Sequence, residues 1–115
     1  MENSVLTPLQ YEDLKKSIIN KLEGRVKIVP LNSLMHSKYR LTSPLHISLE
    51  YDDGEVIAGL HEIEAFTRAP TEYEALEQLC EEIVQIYEDI SANPTELGPL
   101  PRKWLQYLNG VIECS

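Results

Sequence analysis

The dipeptide Asp53-Gly54 constrains what this chain can fold into more than any other feature. A two-residue hairpin turn of type I′ needs positive φ at both central positions, which Asp-Gly supplies at low cost. The flanking residues agree with it. Leu45, Ile47, Leu49 and Tyr51 alternate with His46, Ser48 and Glu50, the two-residue period of a half-buried strand. A turn at Asp53-Gly54 sets Tyr51 opposite Val56, Leu49 opposite Ala58 and Ile47 opposite Leu60, so all six side chains share one face. Glu64 to Arg68 reads as a third strand.

A hairpin is marginal in water until its apolar face is covered. The cover follows directly. Thr71 and Glu74 have capping-box spacing, in which hydroxyl and carboxylate each bond an otherwise unpaired backbone N–H. Glu72 and Glu74 also suit the positive end of a helix dipole. Leu76, Leu79, Cys80, Ile83, Tyr87 and Ile90 then recur at three- and four-residue steps as one apolar stripe. Glu74, Glu77, Glu81, Glu82, Gln85, Glu88 and Asp89 fill the rest of the circumference.

On the N-terminal side, Thr7-Pro8-Leu9-Gln10 is a helix opening and Gly24 a helix stop, with Leu14, Ile18 and Leu22 as a stripe and Tyr11 and Ile19 at its margins. The pattern predicts a helix from Pro8 to Glu23, then a strand from Arg25 to Val29 ended by Pro30. Leu31 to Ser43 reads as loop, partly packed through Leu34, Met35 and Tyr39. Past the long helix, Ser91 to Thr95 breaks it, and Leu97 to Pro101 is a stiff turn. A short helix begins near Pro101, with Trp104, Leu108 and Val111 at i, i+4 and i+7 and Leu105 and Ile112 beside them. Packing on the chain's own sheet is the expected fate of that face, ahead of a dimer or partner contact, because exposed apolar patches that large are uncommon in monomers. The whole is expected to be one α+β domain over residues 1–115. Its antiparallel sheet of about three or four strands would be packed by the long acidic helix. Residues 44–91 form the core, 1–43 an N-terminal helix-strand extension, and 94–115 a C-terminal helix.

Charge and composition narrow the function. No apolar run approaches the roughly twenty residues of a membrane span, and the start, MENSVLTPLQYED, lacks a basic and then apolar leader. Cys80 falls on the stripe and Cys114 is next to last, which speaks against a disulfide framework and fits a reducing cytoplasm. The net charge of −9 argues against direct binding to nucleic acid or an anionic membrane. It leaves a basic partner or simple solubility. Lys38 and Arg40 make a basic spot too small for the several phosphate contacts that a duplex needs.

Candidate chemistry is sparse. The hairpin register puts His46 opposite His61 with Glu50 nearby, a weak metal candidate. No third ligand falls into place from local spacing, and cross-strand histidines on a solvent face are more commonly a polar pair. Neither Cys80 nor Cys114 has an evident activating base. Phosphate-loop, dinucleotide and serine-elbow motifs are absent. Asp52 and Asp53 sit at a hairpin tip, where a general base lacks a pocket. The expectation is no enzyme, no cofactor and no metal.

Residues 52–90 resemble the HicB-like antitoxin family. Asp53-Gly54 is similar to its turn, Val56 to Leu60 to its second strand, and Glu62-Ile63 to the Asp-Leu of its corner. Thr71-Glu72-Tyr73-Glu74-Ala75-Leu76 is similar to its helix opening. His61, Glu64 and Ala65 stand where that corner carries two prolines and a glycine. The resemblance implies a partial ribonuclease-H-like or double-stranded-RNA-binding-domain-like core. It also implies a non-catalytic role: binding and masking a small basic ribonuclease toxin. Glu74, Glu77, Glu81, Glu82, Glu88 and Asp89 would be the contact residues, by charge complementarity. Family members often carry a C-terminal DNA-binding module, for which the tail here is too short and too weakly basic. A homodimer is also expected. The competing class is a self-associating structural or regulatory domain without a toxin, pairing through the Glu64–Arg68 or Arg25–Val29 strand.

Overall fold

The computed structural model describes residues 26–114. The helix expected over Pro8 to Glu23 lies outside them. Strands β1 (Val26–Leu31), β3 (Leu45–Asp52), β4 (Glu55–Leu60) and β5 (Ala65–Ala69) form an antiparallel sheet in the order β1-β3-β4-β5. Strand β2 (Tyr39–Leu41) pairs instead with β6 (Ile112–Cys114) in a second, two-stranded sheet. Helices α1 (Glu72–Ala92) and α2 (Pro99–Val111) complete an α+β architecture. No described helix is long and apolar enough to cross a membrane.

The hairpin forms as its turn chemistry dictates. Asp53 and Gly54 have φ of 54° and 80°, and Tyr51 pairs with Val56 and Leu49 with Ala58. Ile47, Leu49, Val56, Ala58 and Leu60 are buried on the face that α1 covers. From α1 come Ala75, Leu79, Cys80, Ile83, Val84 and Ile90, all buried, with Leu76 and Tyr87 half-buried at the margin. The Thr67 hydroxyl donates to the Ala75 carbonyl at 2.8 Å and ties β5 to the first turns of α1. Thr71 caps α1 by accepting from the Glu74 N–H at 3.1 Å, while the Glu74 carboxylate accepts from the Thr71 hydroxyl at 3.0 Å.

Several expectations are corrected. Proline does not end β1: Pro30 pairs with His46 and the strand runs on to Leu31. It is tolerated because among the described residues β1 is an edge strand, where a missing N–H can face outward. Glu64 is not in the third strand. His61–Ile63 form a single 3₁₀ turn closed by Glu64 at a left-handed φ of 55°, and β5 begins only at Ala65. Within the expected loop, Leu34 and Tyr39 are buried, but Met35 is exposed, and Tyr39 opens β2. The C-terminal helix starts at Pro99, and it packs on α1 and on the 61–63 turn rather than on the sheet. Leu108 is fully buried there, with Trp104, Leu105, Tyr107 and Val111 half-buried around it.

Candidate functional site

Seven carboxylates and no basic residue lie along α1. The apolar stripe faces the sheet, so the acids are turned outward. Glu74, Glu77, Glu81, Glu82, Glu88 and Asp89 are all exposed. Past the first turn, where Glu72 and Glu74 suit the dipole, the arrangement works against the helix that carries it. Glu74/Glu77 and Glu77/Glu81 are like-charge neighbours three and four residues apart, each costing about 0.2–0.5 kcal/mol. Glu88 and Asp89 occupy the last turns, where the dipole is negative and no cation offsets it. Partial relief comes from neighbours. The Tyr39 hydroxyl donates to Glu88 at 2.9 Å, which holds the Tyr39 pKa above its ordinary value, and the Gln85 amide donates to Asp89 at 2.9 Å.

At the N-terminal end of α1 the surface dips into an open depression of about 570 Å³. Tyr51, Asp52, Asp53, Glu55, Pro70 and Glu72 are among the residues that line it. The sequence leaves Asp52 and Asp53 without a pocket, whereas in the structure both border this hollow. Three of its carboxylates are already engaged. Arg68 donates to Glu55 at 2.9 Å and to Asp52 at 3.2 Å, and these bonds raise the Arg68 pKa. Lys27 lies 3.3 Å from Glu72 and sits over the Tyr51 ring. The hollow therefore extends the acidic surface of α1 around the hairpin tip, and it is wide open.

The expected histidine pair is not formed by the strands. The β3–β4 ladder is continuous from Asp52–Glu55 to Ser48–Gly59, His61 turns off into the 3₁₀ turn, and His46 pairs with Pro30 of β1. His61 Nε2 instead lies 3.0 Å from Ser48 Oγ, with the ring edge-on to Phe66 at 5.1 Å between centroids. Sequence spacing missed this Ser48–His61 contact because it assumed a straight strand through His61. A serine hydroxyl on an imidazole is the first half of a nucleophilic dyad. This one stands on an exposed sheet face, and the Ser48 hydroxyl also reaches the Gly59 carbonyl at 3.5 Å. Among the described residues no group of three or more His, Cys, Asp or Glu side chains could hold a metal ion.

Of the two cysteines, Cys80 is buried with its Sγ 3.7 Å from the Ser33 carbonyl, and Cys114 is exposed on β6. Burial, with Glu81 and Glu77 nearby, pushes the Cys80 thiol up to about 11, so it stays protonated and unreactive at neutral pH. No family model, curated protein or solved structure matches this chain.

Proposed function

We propose that the chain is a non-catalytic binding protein that engages a small basic partner through the outward face of α1. The observation that carries this reading is the row of carboxylates on α1, of which those past the first turn crowd like charges together or meet the negative end of the dipole and so cost the free protein stability. Like charges retained at such a cost gain their use when a cationic surface covers them. The six contact residues are Glu74, Glu77, Glu81, Glu82, Glu88 and Asp89, all exposed on one helix. The hollow at the hairpin tip extends the same acidic surface.

The resemblance at residues 52–90 to HicB-like antitoxins narrows the partner to a ribonuclease-type toxin, whose RNA-gripping surface is cationic by necessity. The core would then be a HicB-like one, working in the cytoplasm. The test is a capture from source-cell extract with the wild type and with a Glu77→Lys/Glu81→Lys/Glu82→Lys variant as paired baits. A small basic protein held by the wild type and lost by the variant is the expected result. Equal retention on both baits removes the electrostatic account.

A second reading is self-association without a toxin. Among the described residues β1 and β5 are the sheet edges, and β1 leaves Val26 and Ile28 exposed. An unpaired edge is a template for strand pairing across a two-fold axis. Sedimentation equilibrium of the purified chain separates a homodimer from a monomer.

A further inference from the structure

Ser48 lies between the buried Ile47 and Leu49, so strand alternation turns its hydroxyl to the face of the sheet away from α1. Strand β4 ends at Leu60, and the 3₁₀ turn after it, closed by Glu64 at a φ of 55°, brings the His61 ring to Ser48 instead of to His46. Phe66 stands edge-on to that ring, at 88° between planes and 5.1 Å between centroids. Gly59 makes the room. A Cβ there would meet the Phe66 ring at 2.5 Å and the Ser48 Oγ at 3.0 Å. A residue without a side chain thus lets serine, imidazole and phenyl ring close on one spot.

The Ser48 hydroxyl has two acceptors near it, His61 Nε2 at 3.0 Å and the Gly59 carbonyl at 3.5 Å. A hydroxyl-to-oxygen bond normally spans about 2.5–3.0 Å. The imidazole therefore takes the proton, and Nε2 is the nitrogen with the free lone pair. Its distance lies within the reach of a general base.

We propose that Ser48 is a nucleophile with His61 as its general base, and that it accepts the acyl group of small carboxylic esters with a good leaving group. Ser48 Oγ attacks the ester carbonyl carbon while its proton passes to His61 Nε2. The new C–O bond displaces the alcohol or phenol oxygen, which leaves with the electron pair of the old ester bond. The imidazolium then gives its proton to that leaving group or to water. The class of ester follows from the fold. Ser48 and Leu49 lie on an inner strand and are partnered on both sides, by Ile28 and Gly59 and by Lys27 and Ala58. Their backbone N–H groups are committed to the ladder and cannot cradle an oxyanion. The leaving group must supply what such a cradle would, so activated esters react and amides do not. Ile28 and Phe66, 62% and 51% exposed in the same row as Ser48, offer the apolar part of the ester a surface. The proposal is independent of the partner reading: it acylates one hydroxyl on the opposite side of the sheet from α1, which a binding protein can carry.

The probe is p-nitrophenyl acetate, added to the full chain carrying Cys114→Ser so that the exposed thiol does not compete. Peptide mapping by mass locates the acetyl groups. Ser43 and Ser91, both exposed, are internal standards for an unassisted hydroxyl. The expected result is acetylation of Ser48 at least about tenfold faster than of either standard, falling to their rate in His61→Gln, since a positioned base contributes about 10²–10⁴-fold. Labelling of Ser48 no faster than the standards overturns the proposal, and so does labelling that His61→Gln leaves unchanged. Acetyl groups on lysines alone overturn it too. If circular dichroism shows His61→Gln unfolded, the ratio of Ser48 to Ser43 and Ser91 in the chain that keeps His61 decides alone.

Discussion

Gly59 and Cys80 show how single positions are held. At Gly59 an added methyl would collide with the Phe66 ring, a clash larger than the backbone-entropy gain that Gly→Ala normally brings. Gly59→Ala is expected to destabilise the fold by about 1 kcal/mol in urea titrations. In a Phe66→Ala background the same change should be neutral or stabilising, because the two sites share one contact. Cys80 titrates from about 11 in the fold, above its ordinary value of 9.0, so the unfolded chain loses that proton first. Between about pH 9 and pH 11 the folded state binds more protons than the unfolded state, and stability falls as pH rises, by on the order of 2 kcal/mol across the window. Chemical denaturation across that range should show the fall, and Cys80→Ala should lessen it, the raised Tyr39 and Tyr107 hydroxyls keeping the remainder. An Ellman titration of the native protein near pH 8 should label Cys114 and spare Cys80.

At the scale of elements, the hairpin and α1 were legible because their signals are local. Asp53-Gly54, the alternation from Leu45 to Tyr51, and Thr71 with Glu74 each act within a few residues and agree with one another. Where a neighbour distant in sequence decides, local pattern failed. Pro30 looked like a stop, yet an edge position lets β1 continue through it. His61 looked like the end of a strand, yet the left-handed Glu64 closes a 3₁₀ turn there and re-aims the imidazole at Ser48. Two substitutions test α1. Thr71→Ala removes the acceptor for the Glu74 N–H and should cost about 1 kcal/mol, a melting-temperature drop of about 4–8 °C. Asp89→Lys places a cation at the negative pole of the dipole and should raise stability by about 0.5 kcal/mol, less what the Gln85 bond contributed. If the acids exist for a partner, the same variant should bind that partner more weakly while melting higher, a divergence that calorimetry and scanning fluorimetry together would show.

At the scale of the described molecule, the two sides of the sheet differ: the α1 side is acidic, and the other mixes exposed apolar side chains with Glu50 and Arg68. The carboxylates of α1 lie on one side of the sheet, and Val26, Ile28 and Phe66 lie on the other. The acidic face of the candidate site was therefore readable from helical periodicity, while the opposite, mixed face needed the strand register. Engagement of a basic partner by the acidic side should weaken at least about tenfold from 0.1 M to 1 M salt, as the screening length shrinks from about 10 Å to about 3 Å. Affinity that holds constant across that range would remove electrostatics as its basis. Nothing local announced the β2–β6 pairing, in which three-residue strands meet and Arg40 binds Glu113 across a sequence separation of 73 residues. Its consequence falls on biosynthesis. At 5–20 residues per second, translation delivers Glu113 roughly 4–15 s after Arg40. During that interval Tyr39 to Leu41 waits on the nascent chain without its strand partner, so a ribosome stalled before Ile112 should display this stretch to proteases that the finished protein turns away.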